Sequence, residues 1–575
     1  MKKSKARRIA TLDAETDPFK KGRVPIPFLW GFYDGEQYFE FTNLMDFVRH
    51  VYDQNIIVYA HNGGKFDYHL GLIDFIDPYS KISIINGRIA KFKIGECEFR
   101  DSYNIIPVPL ATFNKEEISY DIFEESERNK PENKKKISHY LMMDCKYLYE
   151  LVYTFRERFG MNLTQAGASM KQWQKISRRE PPRDFGGYIY NDFKKFYYGG
   201  RCEAFEYGVI EDDFKMVDIR SAYPFAMLHK HPIGLDYVSL GDCDIYSLDE
   251  PLRGGAFFEI DAIARGCFPF RDGASLFFPN DSIKRRYFVT GWELLAAIET
   301  KTVDFYEVVD CFVFHELTDF SDYINHFYNE RKRAKEIGDK AGDIFAKLFM
   351  NSLYGKYGSD PSAYRNYMVV EPDIFDERGL IEGEEGKHWS FGGEFGSYAL
   401  AEQDLSEEEQ RFYNVTTAAS ITGFVRAYLW RAINQCEGVV YCDTDSICAR
   451  DIKQLPNGIG NELGQWSIDG EFSQAAIAGR KLYCFKYKTG TEPHDKNGKL
   501  KRYKIASKGV RLTPNAIMRV AKGKTVIYEP IAPVFSVHKK PCFINRTVKM
   551  TKKVLITEET NLIETLAIYE DFENN

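Results

Sequence analysis

The 575-residue chain contains no CxxC pair. Its eleven cysteines are scattered, and the closest, Cys436–Cys442 and Cys442–Cys448, lie six apart. A knuckle-type zinc site is thereby excluded, and a disulfide framework has little purpose in a chain this long. The spacing fits reduced, mostly buried thiols in a cytoplasmic protein. No run approaches the roughly 18 apolar residues of a membrane helix. The basic start, MKKSKARRIATLDAETD, lacks the apolar stretch of a secretory signal. Internal repeats and long low-complexity tracts are missing too. Nor is there a positive net charge: 77 Lys and Arg face 84 Asp and Glu, a balance of −7. What remains, 44% hydrophobic and 28% charged residues, describes a globular chain of several structural units with a sizeable core.

The average hides a segregation of charge. Between Arg480 and Lys508 ten Lys/Arg face only Glu492 and Asp495, whereas between Glu371 and Glu409 thirteen acids face Arg378 and Lys387. Phosphates respond to the local field, since charges beyond about 10 Å are screened at 0.1 M salt. The basic stretch is interleaved with Tyr483, Phe485, Tyr487 and Tyr503, a pattern expected of a groove that tracks a nucleic-acid backbone and stacks bases. The acidic stretch, rich in Gly and Glu, reads as an insertion whose outer face points away from DNA or toward a basic partner. A boundary is expected near SRREPPRDFGG (177–187), and EESERNKPENKKK (124–136) reads as an exposed loop. Elsewhere short apolar runs alternate with amphipathic stretches, so the class is mixed α/β.

Carboxylates in the first third are spaced for metal ions. RIATLDAETD is an alternating strand on which Asp13 and Glu15 share a face. IIVYAHNGGKFDYHL reads as a buried strand, a Gly turn and a helix carrying Asp67. In SHYLMMDCKYLYELV, Tyr140 and Asp144 stand one helical turn apart on one face. Removing a terminal nucleotide needs a hydroxide at phosphorus and a stabilised leaving oxygen, which two divalent cations held by carboxylates supply.

A second constellation follows. KMVDIRSAYPFAM sets Asp218 at a strand end before Tyr223-Pro224. IFAKLFMNSLYGKYG aligns Lys347, Asn351 and Tyr354 on one helical face. VVYCDTDSICA is a hairpin with Asp443 and Asp445 at its tip. Acids from separate strands can hold two ions at an attacked α-phosphate, and a helical lysine can pair with phosphate oxygens.

The strand DxE, Asn-turn-Phe-Asp and helical YxxxD set, in that order, resembles the 3′–5′ exonuclease domain of family B DNA polymerases. The DxxSxYP, KxxxNSxYG and YxDTDS series resembles their polymerase motifs, specifically those of the protein-primed branch of phages and linear plasmids, tectivirus-like. That resemblance implies an RNase H-like exonuclease domain, residues 1–180, followed by a right-hand polymerase domain, 181–575, with palm, fingers, thumb and two insertions. It implies Asp13, Glu15, Asp67 and Asp144 as exonuclease metal ligands and Tyr140 as the water-orienting residue. Asn62 and Phe66, beside His61, would hold a frayed 3′ end, Ser102 would contact single strand, and Lys115 would be an auxiliary lysine. Asp218 and Asp445 would bind the polymerising metals with Asp443 in support. Tyr223 would exclude ribonucleotides, Lys347, Arg331 and Lys335 would contact triphosphate, and Asn351 and Tyr354 would shape the base-pair pocket. FYYGGRC supplies Tyr197, Gly199 and Gly200, ASITGFVRAY supplies Thr422 and Arg426, and RKLYCFK supplies Lys481 and Tyr483; by resemblance these contact template or primer.

Spacing selects the branch. From Asp218 to Lys347 is 129 residues and from Gly355 to Asp443 is 88, more than a palm strand and its neighbouring helix need. Both gaps match places where protein-primed members carry insertions, here about 229–330, to dock the priming protein, and about 359–410, to encircle template. Fingers fall at about 331–358, palm at 411–480 and thumb at 485–575. The expected activity is DNA-templated DNA synthesis with proofreading, primed by a terminal protein and displacing the non-template strand. It would use two Mg²⁺ per site, which Mn²⁺ can replace, with DNA and dNTPs as further partners, no membrane, and a monomeric state in the cytoplasm of a bacterial host. The alternatives are a primer-independent family B polymerase and a single-strand DNA-binding replication protein without chemistry.

Overall fold

The structure is a computed structural model that describes residues 7–113, 117–245, 248, 254–383, 387–495 and 498–552. It resolves into two compact units. One gathers residues 1–186, 322–412 and 529–545, the other 187–321, 413–528 and 546–575. The chain first crosses between them at Gly186–Gly187, within the Pro- and Gly-rich 177–187 segment.

The first unit is built on an eleven-stranded sheet. Within it Ile56–Ala60 runs parallel to both of its neighbours, Arg8–Thr16 and Cys97–Asp101. All five residues of Ile56–Ala60 are buried, as a central parallel strand covered on both faces requires. The helix Pro131–Phe159 packs on this sheet through Leu141, Cys145 and Leu148, and the Thr11 hydroxyl donates to the Cys145 carbonyl at 2.7 Å. The sheet does not end with the N-terminal segment. Arg365–Val370 pairs with Lys81–Ile85, and Tyr398–Asp404, His388–Phe395 and Leu380–Glu382 continue outward. The acidic stretch therefore extends the sheet that carries Asp13 and Glu15.

Two local expectations are corrected. The 124–136 segment is not a loop throughout: Glu125–Arg128 is a helical turn, and the long helix starts at Pro131. Proline at the first helical position loses no hydrogen bond and has its φ preset, so there it starts a helix. The segment after Ile56–Ala60 is not an α-helix. It forms three short 3-10 turns, Gly63–Lys65, Asp67–His69 and Leu72–Phe75, because Asn62 at φ +66° and Gly71 at φ +111° break helical propagation.

The second unit holds a seven-stranded antiparallel sheet, in the order Tyr503–Ser507, Leu482–Tyr487, Trp466–Gly479, Gly208–Ile219, Ser446–Ile452, Cys436–Asp443, Cys202–Ala204. The helix Val415–Ile433 is buried at every position but Arg431. A four-stranded sheet, Tyr237–Ser239, Val303–Phe314, Ala256–Ala264 and Arg285–Thr290, falls in the first expected insertion. Alternation along Leu482–Tyr487 overturns the stacking platform expected after Arg480. Tyr483, Phe485 and Tyr487 lie buried in the core with Phe214 and Phe472, while Lys486 faces solvent. With a side-chain period of two, aromatics at odd positions all face inward. All eleven cysteines are free thiols, seven of them buried. Among the described residues no helix is long and apolar enough to cross a membrane.

Candidate active sites

The first site lies wholly in the first unit. Asp13 and Glu15 leave one face of Arg8–Thr16, and Asp144 meets them from the helix. Carboxylate oxygens of all three lie within 4.8 Å of one another. Asp67 is buried beside them, and burial, then the charge of Asp13, holds its carboxyl well above the usual range. The same three acids, added to burial, push the Cys145 thiol up. Three hard oxygen donors crowded into one corner make a donor set for a divalent cation, whose charge relieves their repulsion.

These acids open into a cavity of about 510 Å³ lined also by Tyr140, Phe66, Phe19 and Tyr120. Phe19 and Tyr120 were not singled out from the sequence. They are 45% and 59% exposed, so they offer aromatic surface at the mouth of an acidic site. Phe19 sits on the loop after the Asp13 strand and meets Phe66 at 5.7 Å. Buried Asp17 pins that loop: its carboxylate accepts from the Ile26 amide at 2.7 Å and from Arg23. Asn62 is held by Asp101, which accepts its amide at 2.9 Å, and by Arg88, which donates to its side-chain oxygen at 2.7 Å. Neither Asp101 nor Arg88 stood out in sequence, since a buried ion pair of this kind leaves no motif. Ser102 is fully buried: its hydroxyl bonds His61 Nδ1 at 3.0 Å and the Ala60 carbonyl at 3.2 Å. It supports the His61 ring and faces no open groove. Lys115 falls outside the described residues.

The second site lies in the second unit. Asp218 pairs in register with Ser446, and the Ile219 amide donates to the Asp445 carbonyl at 2.8 Å. The strand bearing Asp218 thus lies against the hairpin that carries Asp443 and Asp445. At the tip Thr444 takes φ +62°, and the Asp445 amide reaches the Asp443 carbonyl at 2.7 Å. Burial, then the Asp443 charge, pushes the Asp445 carboxyl up to about 6. Asp469, on the strand beyond the one that carries Asp218, adds to that repulsion, an acid outside the motifs. Lys481 grips both Asp443 oxygens, at 2.7 and 2.8 Å. Tyr483 packs edge-on against Tyr441 at 4.8 Å between ring centres. Among the described residues only the first site has three or more ligating groups within 4.8 Å.

Tyr223 sits in the short helix Ala222–Ala226. Lys347, Asn351 and Tyr354 line the face of Lys340–Tyr357 opposite its buried Phe345, Phe349 and Leu353, and this helix belongs to the first unit. Arg331 donates to Asp343 at 2.7 Å, tying the preceding helix Ser321–Glu336 to that one, while Lys335 is exposed.

Thr422 and Arg426, expected to touch template, are 2% and 3% exposed. The Arg426 guanidinium pairs with Glu293 at 2.7 Å and donates to the carbonyls of Tyr198 and Gly199 at 2.6 and 2.9 Å. Its side chain fixes the backbone of the Tyr197–Gly200 segment from behind. Glu293 in turn forms a capping box with Thr290. Because both partners of the ion pair are 2% exposed, Glu293→Ala strands a buried cation. The expected cost is about 3–5 kcal/mol, read as a lower urea midpoint at unchanged slope.

Comparison with known proteins agrees with this geometry. The family described as DNA polymerase type B, organellar and viral, matches residues 109–423. A DNA-directed DNA polymerase of Enterobacteria phage PRD1 is 35% identical over 568 residues, covering 95% of this chain and 98% of that one. A DNA polymerase of Bacillus phage Nf is 26% identical over 293 residues, 46% of this chain and 44% of that one. In fold, Phi29 DNA polymerase complexed with primer-template DNA and incoming nucleotide substrates superposes with a TM-score of 0.70 at 18% identity, over 95% of this chain and 100% of that one. With acids on adjacent palm-type strands and a relative that matches nearly end to end, the chain belongs to the type B DNA polymerases, organellar and viral, as a DNA-directed DNA polymerase of the protein-primed branch.

Proposed function

We propose that the two acidic sites perform opposite reactions on one DNA end. The second adds nucleotides, the first removes mispaired ones as a 3′–5′ exonuclease, and synthesis starts on a hydroxyl of a terminal protein. The observation that carries this reading is the pair of separate carboxylate clusters, one within each unit.

Each cluster is suited to two Mg²⁺, or Mn²⁺ in their stead, which when bound lower the pKa of a hydroxyl or water and neutralise charge on the phosphate. The chain's own residues do the rest. Asp218 and Asp445 present oxygens from adjacent strands, and Asp443, held by Lys481, keeps the hairpin tip in place. Tyr223 excludes a 2′-hydroxyl. Lys347, with Arg331 and Lys335, attracts triphosphate, and Asn351 and Tyr354 frame the new pair. Lys481 steadies the primer end, backed by Tyr483 packed on Tyr441, while Tyr197, Gly199 and Gly200 guide template. At the other site Asp13, Glu15, Asp67 and Asp144 hold the cations, and Tyr140 orients the attacking water. Asn62 and Phe66 keep the last nucleotides unpaired.

In this reading residues 229–330 dock the priming protein and 359–410 enclose template, which lets a monomer displace the opposite strand in a bacterial host cell. Phe19→Ala is expected to raise KM for single-strand degradation roughly tenfold, since one stacked base contributes about 1–3 kcal/mol, with extension unchanged. The initiation step is tested by incubating the enzyme with a candidate terminal protein and one labelled dNTP. The expected product is a dNMP covalently linked to that protein. Long products from circular single-stranded DNA and dNTPs alone would instead favour primer-independent synthesis.

A further inference from the structure

Directly after Gly200, Arg201 carries a charged side chain that is 2% exposed. Its guanidinium lies between the rings of Phe278 and Trp430, 4.2 and 4.4 Å from their centres. Nε and Nη2 donate to Glu203 at 2.9 and 2.5 Å, and Nη1 donates to the Gly266 carbonyl at 2.7 Å. All three nitrogens of the planar fork donate, to one anion and one carbonyl, and aromatic rings lie over it. Lysine, a point charge on a flexible stem, cannot occupy such a slot in the same way.

The backbone of this residue does something else. The Arg201 carbonyl accepts the Thr444 amide at 2.6 Å, at the tip between Asp443 and Asp445. Thr444 is β-branched with φ +62°, a conformation such residues adopt only when their surroundings impose it. Gly200 makes the approach possible, since a Cβ there would lie 2.8 Å from Thr444 Cγ2. The same strand continues beside the hairpin, with Cys202 opposite Asp443.

We propose that Arg201 is a positioning residue for nucleotidyl transfer: its clamped side chain fixes the 200–201 backbone, which holds Thr444 left-handed and so aims Asp443 and Asp445. The inference rests on reading Asp445 as a polymerising carboxylate. Because the slot is built from Gly266, Phe278 and Trp430, it also joins the 256–290 strands and the helix Val415–Ile433 to the catalytic tip. A misplacement of about 1 Å at reacting groups can cost a hundredfold, so a small loosening has a large kinetic effect.

The test compares wild type, Arg201→Lys and Phe278→Leu, the last removing one wall of the slot while leaving the charge and its partners. Steady-state extension is measured well below each variant's Tm, together with hydrogen–deuterium exchange of the metal-free, DNA-free protein over residues 440–448. In Arg201→Lys, kcat should fall about 10- to 100-fold while KM for dNTP stays within about threefold. The magnesium concentration for half-maximal rate should rise, and exchange at the hairpin tip should quicken severalfold. Phe278→Leu should shift the same quantities in the same direction by less. A purely structural staple would lower Tm and leave tip exchange, kcat and magnesium dependence as in wild type in both variants, which overturns the proposal. So would a fall in kcat with tip exchange unaltered. If Asp445→Asn keeps full extension, the reading of the carboxylate fails; unchanged tip exchange in the Arg201 variant defeats this inference alone.

Discussion

Asp445→Asn is expected to lower nucleotide incorporation about a thousandfold while leaving single-strand degradation near wild type. Losing one of the carboxylates that face the reacting phosphate removes several kcal/mol of charge stabilisation, and each 1.36 kcal/mol is a factor of ten. The same change should stabilise the metal-free protein. In the fold, burial and the Asp443 charge raise the Asp445 carboxyl from 3.8 to about 6, so its ionised form is strained. Well below pH 3.8 both folded and unfolded chains hold the proton and the group contributes nothing. As pH rises from 4 to 6 the unfolded chain loses its proton first, so stability falls, and above 6 the full penalty is present. The shift corresponds to no more than about 3 kcal/mol, and partial solvent screening brings it to roughly 2. Denaturant melts in EDTA should therefore favour the Asn variant at pH 7.5, with the advantage gone by about pH 3. Equal stability at both pH values would mean that neither burial nor Asp443 penalises the ionised Asp445.

Asp13→Ala is expected to do the reverse: degradation of a single-stranded oligonucleotide falls about a thousandfold, and extension of a matched primer is retained. Removing Asp13 also withdraws the charge that lifts Asp67 and Cys145, so the variant should fold at least as stably as wild type. Mismatched primer ends should then be extended rather than trimmed. If Asp13→Ala and Asp445→Asn each abolished both reactions in folded protein, the two-site account would be wrong.

Much of each site was legible because the chemistry imposes order. A DxE strand, an acid beyond a Gly turn and an i, i+4 Tyr–Asp pair can be read from spacing, and Asp13, Glu15 and Asp144 do converge within 4.8 Å of one another. Asp218 likewise lies on the strand beside the DTD hairpin. The misreadings share a cause: one residue type serves opposite ends. Aromatics among lysines suit base stacking, yet the period-two alternation at Tyr483, Phe485 and Tyr487 buries them. Proline usually ends a helix, but Pro131 begins one. An arginine in a template-contact motif can bind phosphate or, as Arg426 does, a buried glutamate and two carbonyls. Long-range pairings were invisible in principle. Nothing local in residues 365–404 announces that they add strands to the sheet begun by Arg8–Thr16, and nothing near Phe19 says that it borders the acids.

Anomalous diffraction from crystals soaked in Mn²⁺ tests the two-cluster claim most directly, because it locates the cations themselves. Signal should arise in two places, with up to two ions in each: one enclosed by Asp13, Glu15 and Asp144, the other between Asp218 and Asp445. Signal at only one of them, or at neither with ions bound elsewhere, would contradict the account.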